Sequence, residues 1–243
     1  MTTTVILAAG RSVRMESPVP KVLHKVCGTP IIDRIVNATA PFSKKMIFVV
    51  NGKKVTRHLK KYKTAELVFQ KKLLGTANAL LQTEKLFDKR KSRILVLPGD
   101  APLISKKIIK KFILFHGNSA NDISILTANL KNPFGYGRII KKDGFVSEIR
   151  EELDATEKEK RIRTVNGGIY IFPVPKIFTL LKKVKLNPRK KEYYLTDVMK
   201  IASGLGMKTG AMTLRDETFL LGVNTTEDLK RINLKVKYYG GKK

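Results

Sequence analysis

The chain of 243 residues has one cysteine, Cys27, no apolar run of membrane-spanning length, and only 20 acidic residues against 49 basic ones. A single cysteine excludes an intramolecular disulfide and argues against a cysteine-based zinc site, and a free cysteine of this kind is expected to be a small packed residue. A membrane helix needs about 18–20 consecutive apolar residues. Met1 leads into a polar Thr run instead of a signal-peptide pattern. The expectation is a soluble, cytoplasmic protein with no membrane partner. There is also no Pro/Gly/Ser-rich linker and no internal repeat, so the 42% hydrophobic content points to one domain over residues 1–243 with a substantial core.

The shortage of acid leaves a formal net charge of +29, which steers nucleic acid, anionic membranes or phosphorylated metabolites toward a protein. The basic residues are scattered, as in "KKVTRHLKKYK" and "KKIIKKF", between apolar positions at helical spacing. That pattern describes solvated helix faces, and no short nucleic-acid motif accompanies it, so no specific nucleic-acid partner is expected.

Apolar runs alternate with amphipathic segments through the first half. Residues 4–9, 45–50, 66–70 and 93–100 read as strands, the last breaking at Pro98, and 30–40, 53–63 and 76–87 as helices. Strands this continuously apolar need cover on both faces, which predicts an α/β doubly wound, mostly parallel sheet. The second half changes style. Residues 122–130 and 137–151 read as strands, with Asp143-Gly144 as a hairpin signal, and "NGGIYIF" adds another. Helices are expected at about 174–184, 195–203 and 225–233. This half is expected to carry antiparallel additions to the same sheet.

Ligands of an open α/β sheet bind beyond the carboxyl ends of its strands. The first strand ends in Leu7, Ala8, Ala9 and Gly10, then hands over to Arg11, Arg14 and Lys21, with Pro18 and Pro20 stiffening the loop that delivers Lys21. Small residues let a flat ligand lie on the backbone, and mobile cations suit a triphosphate. The stretch is neither the GxxxxGK[ST] loop nor GxGxxG. Asp100 follows an apolar strand, where an Asp commonly forms a turn and also suits a hard cation. Asn224 precedes a capping-box-like pair, Thr225 and Asp228. His24 reads as orienting the loop, and His58 and His116 as surface or core residues without assigned chemistry.

"LAAGRSVRM…PKVLHKVCGTP" resembles the signature of bacterial N-acetylglucosamine-1-phosphate uridyltransferases, the pyrophosphorylase domain of GlmU-type enzymes. "LGTANAL", "LPGDAPLI", "GYGRII", "EELDAT", "VNGGIY", "EYYLTD" and "GVNTTEDL" follow in the family's order over nearly the whole chain. The resemblance implies a Rossmann-like core and uridylyl transfer from UTP to N-acetylglucosamine-1-phosphate, giving UDP-N-acetylglucosamine and pyrophosphate with magnesium. By matching position it assigns Leu7, Ala8, Ala9, Gly10, Gln70, Gly75 and Thr76 to the nucleotide, and Arg14 and Lys21 to phosphates as catalytic cations. It assigns Gly137, Glu151 and Asn166 to the sugar, and Asp100 and Asn224 to magnesium. Tyr193 and Tyr194 read as core aromatics, with Tyr194 the better candidate for a wall of the sugar pocket.

Departures from the family pattern are Ser12 and Val13 in the phosphate loop, Leu73 near the base, Gly167 in the sugar segment and Leu153 in the acidic segment. They imply altered nucleotide and sugar affinity. The family's full-length members also carry a β-helix of hexapeptide repeats that transfers acetyl groups, and this sequence holds no such repeats. Rival functions are another sugar-1-phosphate nucleotidyltransferase, using glucose-1-phosphate or a different base, and a basic nucleic-acid-binding protein.

Overall fold

A computed structural model of the chain describes residues 2–10, 13–88 and 90–240. Ser12 and Arg11 lie outside the described residues, as does the side chain of Val13. The elements run β1 (Thr2–Ala8), β2 (Lys25–Val26), β3 (Thr29–Pro30), α1 (Ile31–Thr39), β4 (Ser43–Val50), α2 (Lys53–Leu59), β5 (Ala65–Phe69), α3 (Thr76–Leu81), β6 (Ser92–Pro98) and α4 (Lys106–Asn118). They continue as β7 (Ile123–Asn129), β8 (Arg138–Lys142), β9 (Phe145–Arg150), α5 (Glu157–Lys160), β10 (Thr164–Val174), α6 (Lys176–Leu181), α7 (Asp197–Gly204), β11 (Thr209–Leu214) and α8 (Thr226–Gly240).

One nine-stranded sheet follows the order β11-β7-β10-β6-β1-β4-β5, with the β8–β9 hairpin attached to β10. Strands β6, β1, β4 and β5 are parallel, β10 runs antiparallel to both β6 and β7, and β11 is parallel to β7. The expected mixed, mostly parallel α/β sheet is therefore present. Alternation along each strand sends side chains to opposite faces. Ile6 and Ala8 of β1 with Leu95 and Leu97 of β6 join a core with α1, α2, α4 and α8, whereas Val5, Ile94 and Val96 join a second core with α3, α6 and α7. Each fully buried Val, Leu or Ile among them contributes about 1.5–3 kcal/mol. The two cores hold β1 from both sides, so its carboxyl end is a rigid edge.

Several expectations are corrected. The helix expected over 76–87 ends at Leu81, where Gln82 and Thr83 leave it and the Thr83 hydroxyl donates to Leu80 O at 2.7 Å before a 3-10 turn at Glu84–Leu86. The helix expected from 174 starts at Lys176, because β10 continues to Val174 and Pro175 precedes the first turn. The helix expected over 225–233 runs on to Gly240. Strand β11 was not expected, and as a parallel edge strand it departs from the antiparallel style of this half. Cys27 is exposed, not packed. It sits with φ 47° beside Gly28 in the β2–β3 turn, and its N–H donates to Asn233 Oδ1 at 2.7 Å. The Asp143-Gly144 hairpin is present, with φ of 51° and 81° at the two turn residues.

Candidate active site

A cleft of about 680 Å³ opens beyond the carboxyl ends of β1 and β6. Leu7, Ala9 and Gly10 line it at the end of β1, and Pro98 and Asp100 at the end of β6. The Gly99 N–H donates to Leu7 O at 2.8 Å, holding the two strand ends together. Ala8 faces the core and does not line the cleft, as strand alternation requires.

Two cations converge on the proposed metal ligands at this end. Lys21 Nζ donates to Asp100 Oδ2 at 2.5 Å and to Asn224 Oδ1 at 3.1 Å, and Arg14 Nη2 donates to the same Asn224 oxygen at 3.1 Å. Asp100 and Asn224 come from distant parts of the sequence. The Val223 N–H donates to Asp100 O at 3.0 Å and lays the 222–224 segment against the end of β6. Asp228 Oδ2 then accepts from the Asn224 and Thr225 N–H groups at 3.0 and 3.1 Å, while the Thr225 hydroxyl accepts from the Asp228 N–H at 3.1 Å. This reciprocal cap is the one the Thr225/Asp228 spacing predicts, and it fixes the backbone of Asn224. Lys21 is carried by a 3-10 turn, Lys21–Leu23, and a His24 ring nitrogen lies 3.2 Å from Val19 O, so His24 does orient the loop.

The part of the cleft that the resemblance assigns to the base is built around Gln70, which is buried. Its Nε2 donates to Gly75 O and to Asn78 Oδ1, both at 3.0 Å, and its backbone oxygen accepts from Asn51 Nδ2 at 2.7 Å. Gly75 has φ 93°, and a Cβ there would lie 2.6 Å from Tyr193 O. Only glycine fits both that conformation and that approach. Thr76 lines the cleft and its hydroxyl accepts from the Leu195 N–H at 3.1 Å, tying the start of α3 to the 192–196 segment. Leu73 also lines the cleft, where an apolar side chain offers packing without a hydrogen bond.

Glu151 and Asn166 also line the cleft. The Thr196 hydroxyl donates to Glu151 Oε1 at 2.7 Å. Burial pushes the Glu151 carboxyl above its ordinary value, aided by the charges of Asp197 and Asp154 and opposed by the Thr196 hydrogen bond. Asn166 Nδ2 donates to the Tyr170 hydroxyl at 2.6 Å, and its Oδ1 accepts from the Gly168 N–H at 2.9 Å. The amide is therefore held in one orientation, with one N–H and one lone pair to spare. Gly137 packs beside Asn166 and Glu151 and is not among the residues lining the cleft. A Cβ there would lie 2.8 Å from Ile149 Cγ2, and its carbonyl accepts from the Asn166 N–H at 2.9 Å. Tyr194 is not among the residues lining the cleft. Its hydroxyl is pushed up to about 12, first by burial and then by the charge of Glu151.

Some contributors were not singled out from the sequence. Thr196, Tyr170 and Asn78 position Glu151, Asn166 and Gln70, and Lys190 and Lys191 line the cleft on the 187–192 turn. Arg138, almost fully buried, donates to Glu152 Oε2 at 2.7 Å, and that oxygen also accepts from the Gly135 N–H at 2.9 Å. It clamps "GYGRII" to "EELDAT". A side chain at Gly167 would lie 2.6 Å from Leu126 O and 2.8 Å from the Phe219 ring, so this departure is governed by packing between β10 and its neighbours. Leu153 is exposed.

Residues 4–167 match the MobA-like NTP transferase domain. The chain belongs to that family. Within it, the chain is 40% identical over 236 residues to the bifunctional protein GlmU of Streptococcus thermophilus (strain CNRZ 1066), covering 93% of this chain and 51% of that protein. It is 39% identical over 240 residues to the bifunctional protein GlmU of Thermoanaerobacter pseudethanolicus (strain ATCC 33223 / 39E), covering 95% and 52%. The chain thus spans about half the length of the curated relatives it matches. A solved Bacillus anthracis structure described as a glucose-1-phosphate thymidylyltransferase in complex with sucrose superposes with a TM-score of 0.78 at 20% identity, covering 98% of this chain and 96% of that one. At that identity it attests the NTP transferase fold. Among the described residues, no helix is long and apolar enough to cross a membrane.

Proposed function

We propose that this chain is a single nucleotidyltransferase domain that transfers uridylyl from UTP to N-acetylglucosamine-1-phosphate. One observation carries the reading. One cleft is lined by Asp100, by Gln70, Gly75 and Thr76, and by the hydrogen-bonded pairs Glu151–Thr196 and Asn166–Tyr170, and Asp100 joins it to a cluster of Lys21, Arg14 and the Asn224 amide oxygen. The 40% identity to GlmU proteins supports the choice of base and sugar.

In the reaction an oxygen of the sugar phosphate bonds to the α-phosphorus of UTP, and the bond from that phosphorus to the bridging oxygen breaks, releasing pyrophosphate with the electron pair. A phosphate monoester, with its second pKa near ~6, is already largely a dianion at neutral pH. No residue needs to remove a proton from it. The task is to bring two anions together in line, which positioning and cations accomplish. Arg14 and Lys21 approach the triphosphate from the loop and draw charge onto the leaving pyrophosphate. Gln70, Gly75 and Thr76 hold the base, and Glu151 and Asn166 take the sugar hydroxyls and acetamido group.

Asp100 and Asn224 suit magnesium, which takes hard oxygen donors and is usually bound by one or two carboxylates together with substrate phosphates. Their oxygens already meet around one cation, the Lys21 ammonium. Bound there, magnesium would neutralise charge on the phosphates.

Pyrophosphate release should be measured across the four nucleoside triphosphates and a panel of sugar phosphates, with magnesium. The expected result is turnover with UTP and N-acetylglucosamine-1-phosphate and a lower kcat/KM with glucose-1-phosphate, which leaves the buried polar groups unpaired. Turnover only with another pair would overturn the reading. Asn166→Ala should narrow the gap between the two sugars.

A further inference from the structure

The cation between Asp100 and Asn224 in this structure is the protein's own. The geometry points to Lys21 as a latch on the metal site: its ammonium holds the two donor oxygens until a nucleoside triphosphate draws it away, so that metal enters with or after nucleotide. This rests on the uridylyltransferase reading for the identity of the nucleotide and for Asp100 and Asn224 as the metal donors, which the Asp100→Asn arm below tests separately.

Lys21 Nζ lies 2.5 Å from Asp100 Oδ2 and 3.1 Å from Asn224 Oδ1. Magnesium binds oxygen at about 2.0–2.1 Å, so an ion held jointly by the Asp100 carboxylate and the Asn224 amide oxygen would have to sit where the ammonium now lies between them, against a cation already in place. Arg14 adds a second cation on the Asn224 oxygen. One carboxylate against two cations leaves the cluster positive, which repels a divalent ion at short range. A triphosphate reverses that balance, because its oxygens offer the ammonium stronger partners and bring negative charge to the metal.

The backbone is built for a side-chain switch and not for a loop movement. Pro20 precedes the Lys21–Leu23 turn, Lys54 Nζ donates to Pro18 O at 2.9 Å, and the Ile31 N–H donates to His24 O at 2.9 Å. With its Cα so anchored, Lys21 can transfer its three donors from Asp100 to a phosphate by rotating its flexible stem.

The test uses the full chain with Mn²⁺ as probe, free ion being read by electron paramagnetic resonance without nucleotide. Lys21→Met should tighten Mn²⁺ binding at least about threefold, as expected for release of a partly buried ion pair. Asp100→Asn in that background should abolish the gain. Lys25→Met, which removes an exposed charge four residues from Lys21 without touching Asp100, should change nothing. Equal Mn²⁺ affinity in Lys21→Met and the unmodified chain would overturn the latch. A calorimetric titration of UTP in EDTA provides a second arm. Asp100→Asn should tighten metal-free UTP in the parent chain and not in the Lys21→Met background, and equal tightening in both would also overturn it. If UTP fails to bind while another nucleoside triphosphate does, the base assignment falls and the Mn²⁺ arm still decides the latch.

Discussion

At position 75 the backbone and the neighbouring chain impose the same choice. A β-carbon would meet both Tyr193 O and a backbone at φ 93°. Gly75→Ala should lower stability by about 1–3 kcal/mol and raise KM for the nucleotide, because the carbonyl held by Gln70 shifts with the turn. Urea melts and KM measurements check this, and unchanged values would show that Tyr193 yields. Asp100→Ala should reduce kcat by about 10²- to 10³-fold at saturating magnesium, in keeping with electrostatic stabilisation as a major effect. At Glu151, burial favours the protonated form. The sign follows: stability is full below the ordinary carboxylate range and falls as pH rises through the elevated value. Glu151→Gln should therefore raise Tm by a few degrees near neutral pH and lose that advantage near about pH 4, while weakening sugar binding. A Tm difference independent of pH would contradict the assignment.

At the scale of elements, α4 is pinned to β7 by a buried hydrogen bond between His116 Nδ1 and Ser124 Oγ at 2.8 Å. Burial, reinforced by the charge of Arg93, lowers the His116 ring to about 4. The unfolded chain takes up a proton near pH 6.5, well before the folded one does. Stability contributed by this group is thus present above about 6.5 and lost as pH falls toward about 4. His116→Gln should flatten that limb in chemical-denaturation curves between pH 7 and 4, and an unchanged slope would exclude the linkage. The strands of the first half were legible because both faces of each are covered, which writes a continuous apolar run. The β8–β9 hairpin was legible from Asp143-Gly144. Strand β11, "TGAMTL", was not: it is short, carries a glycine, and owes its place to pairing with β7 and not to a local pattern.

For the whole molecule, the charge pattern of the sequence, +29 scattered between apolar positions, predicts a field without a focused nucleic-acid surface. Association with UTP should slow as salt rises, since the screening length falls from about 10 Å at 0.1 M to about 3 Å at 1 M, while kcat changes little. Stopped-flow binding across that range checks it. Binding to random duplex should be weak and salt-labile, and tight binding at physiological salt would contradict the scattered-charge reading. The sequence by itself determined the α/β class, the small-residue strand end, the stiffened cationic loop and the hairpin, because each depends on residues close together in the chain. Through resemblance it also named Asp100, Asn224, Gln70, Glu151 and Asn166. Only the tertiary structure decided which of these meet and in what state. Lys21 bridges Asp100 and Asn224, Thr196 engages Glu151, Ala8 faces the core, Gly137 packs beside Asn166 and Glu151, and Arg138 clamps two site segments. Those relations join segments far apart in sequence through packing and hydrogen bonding that no local pattern encodes.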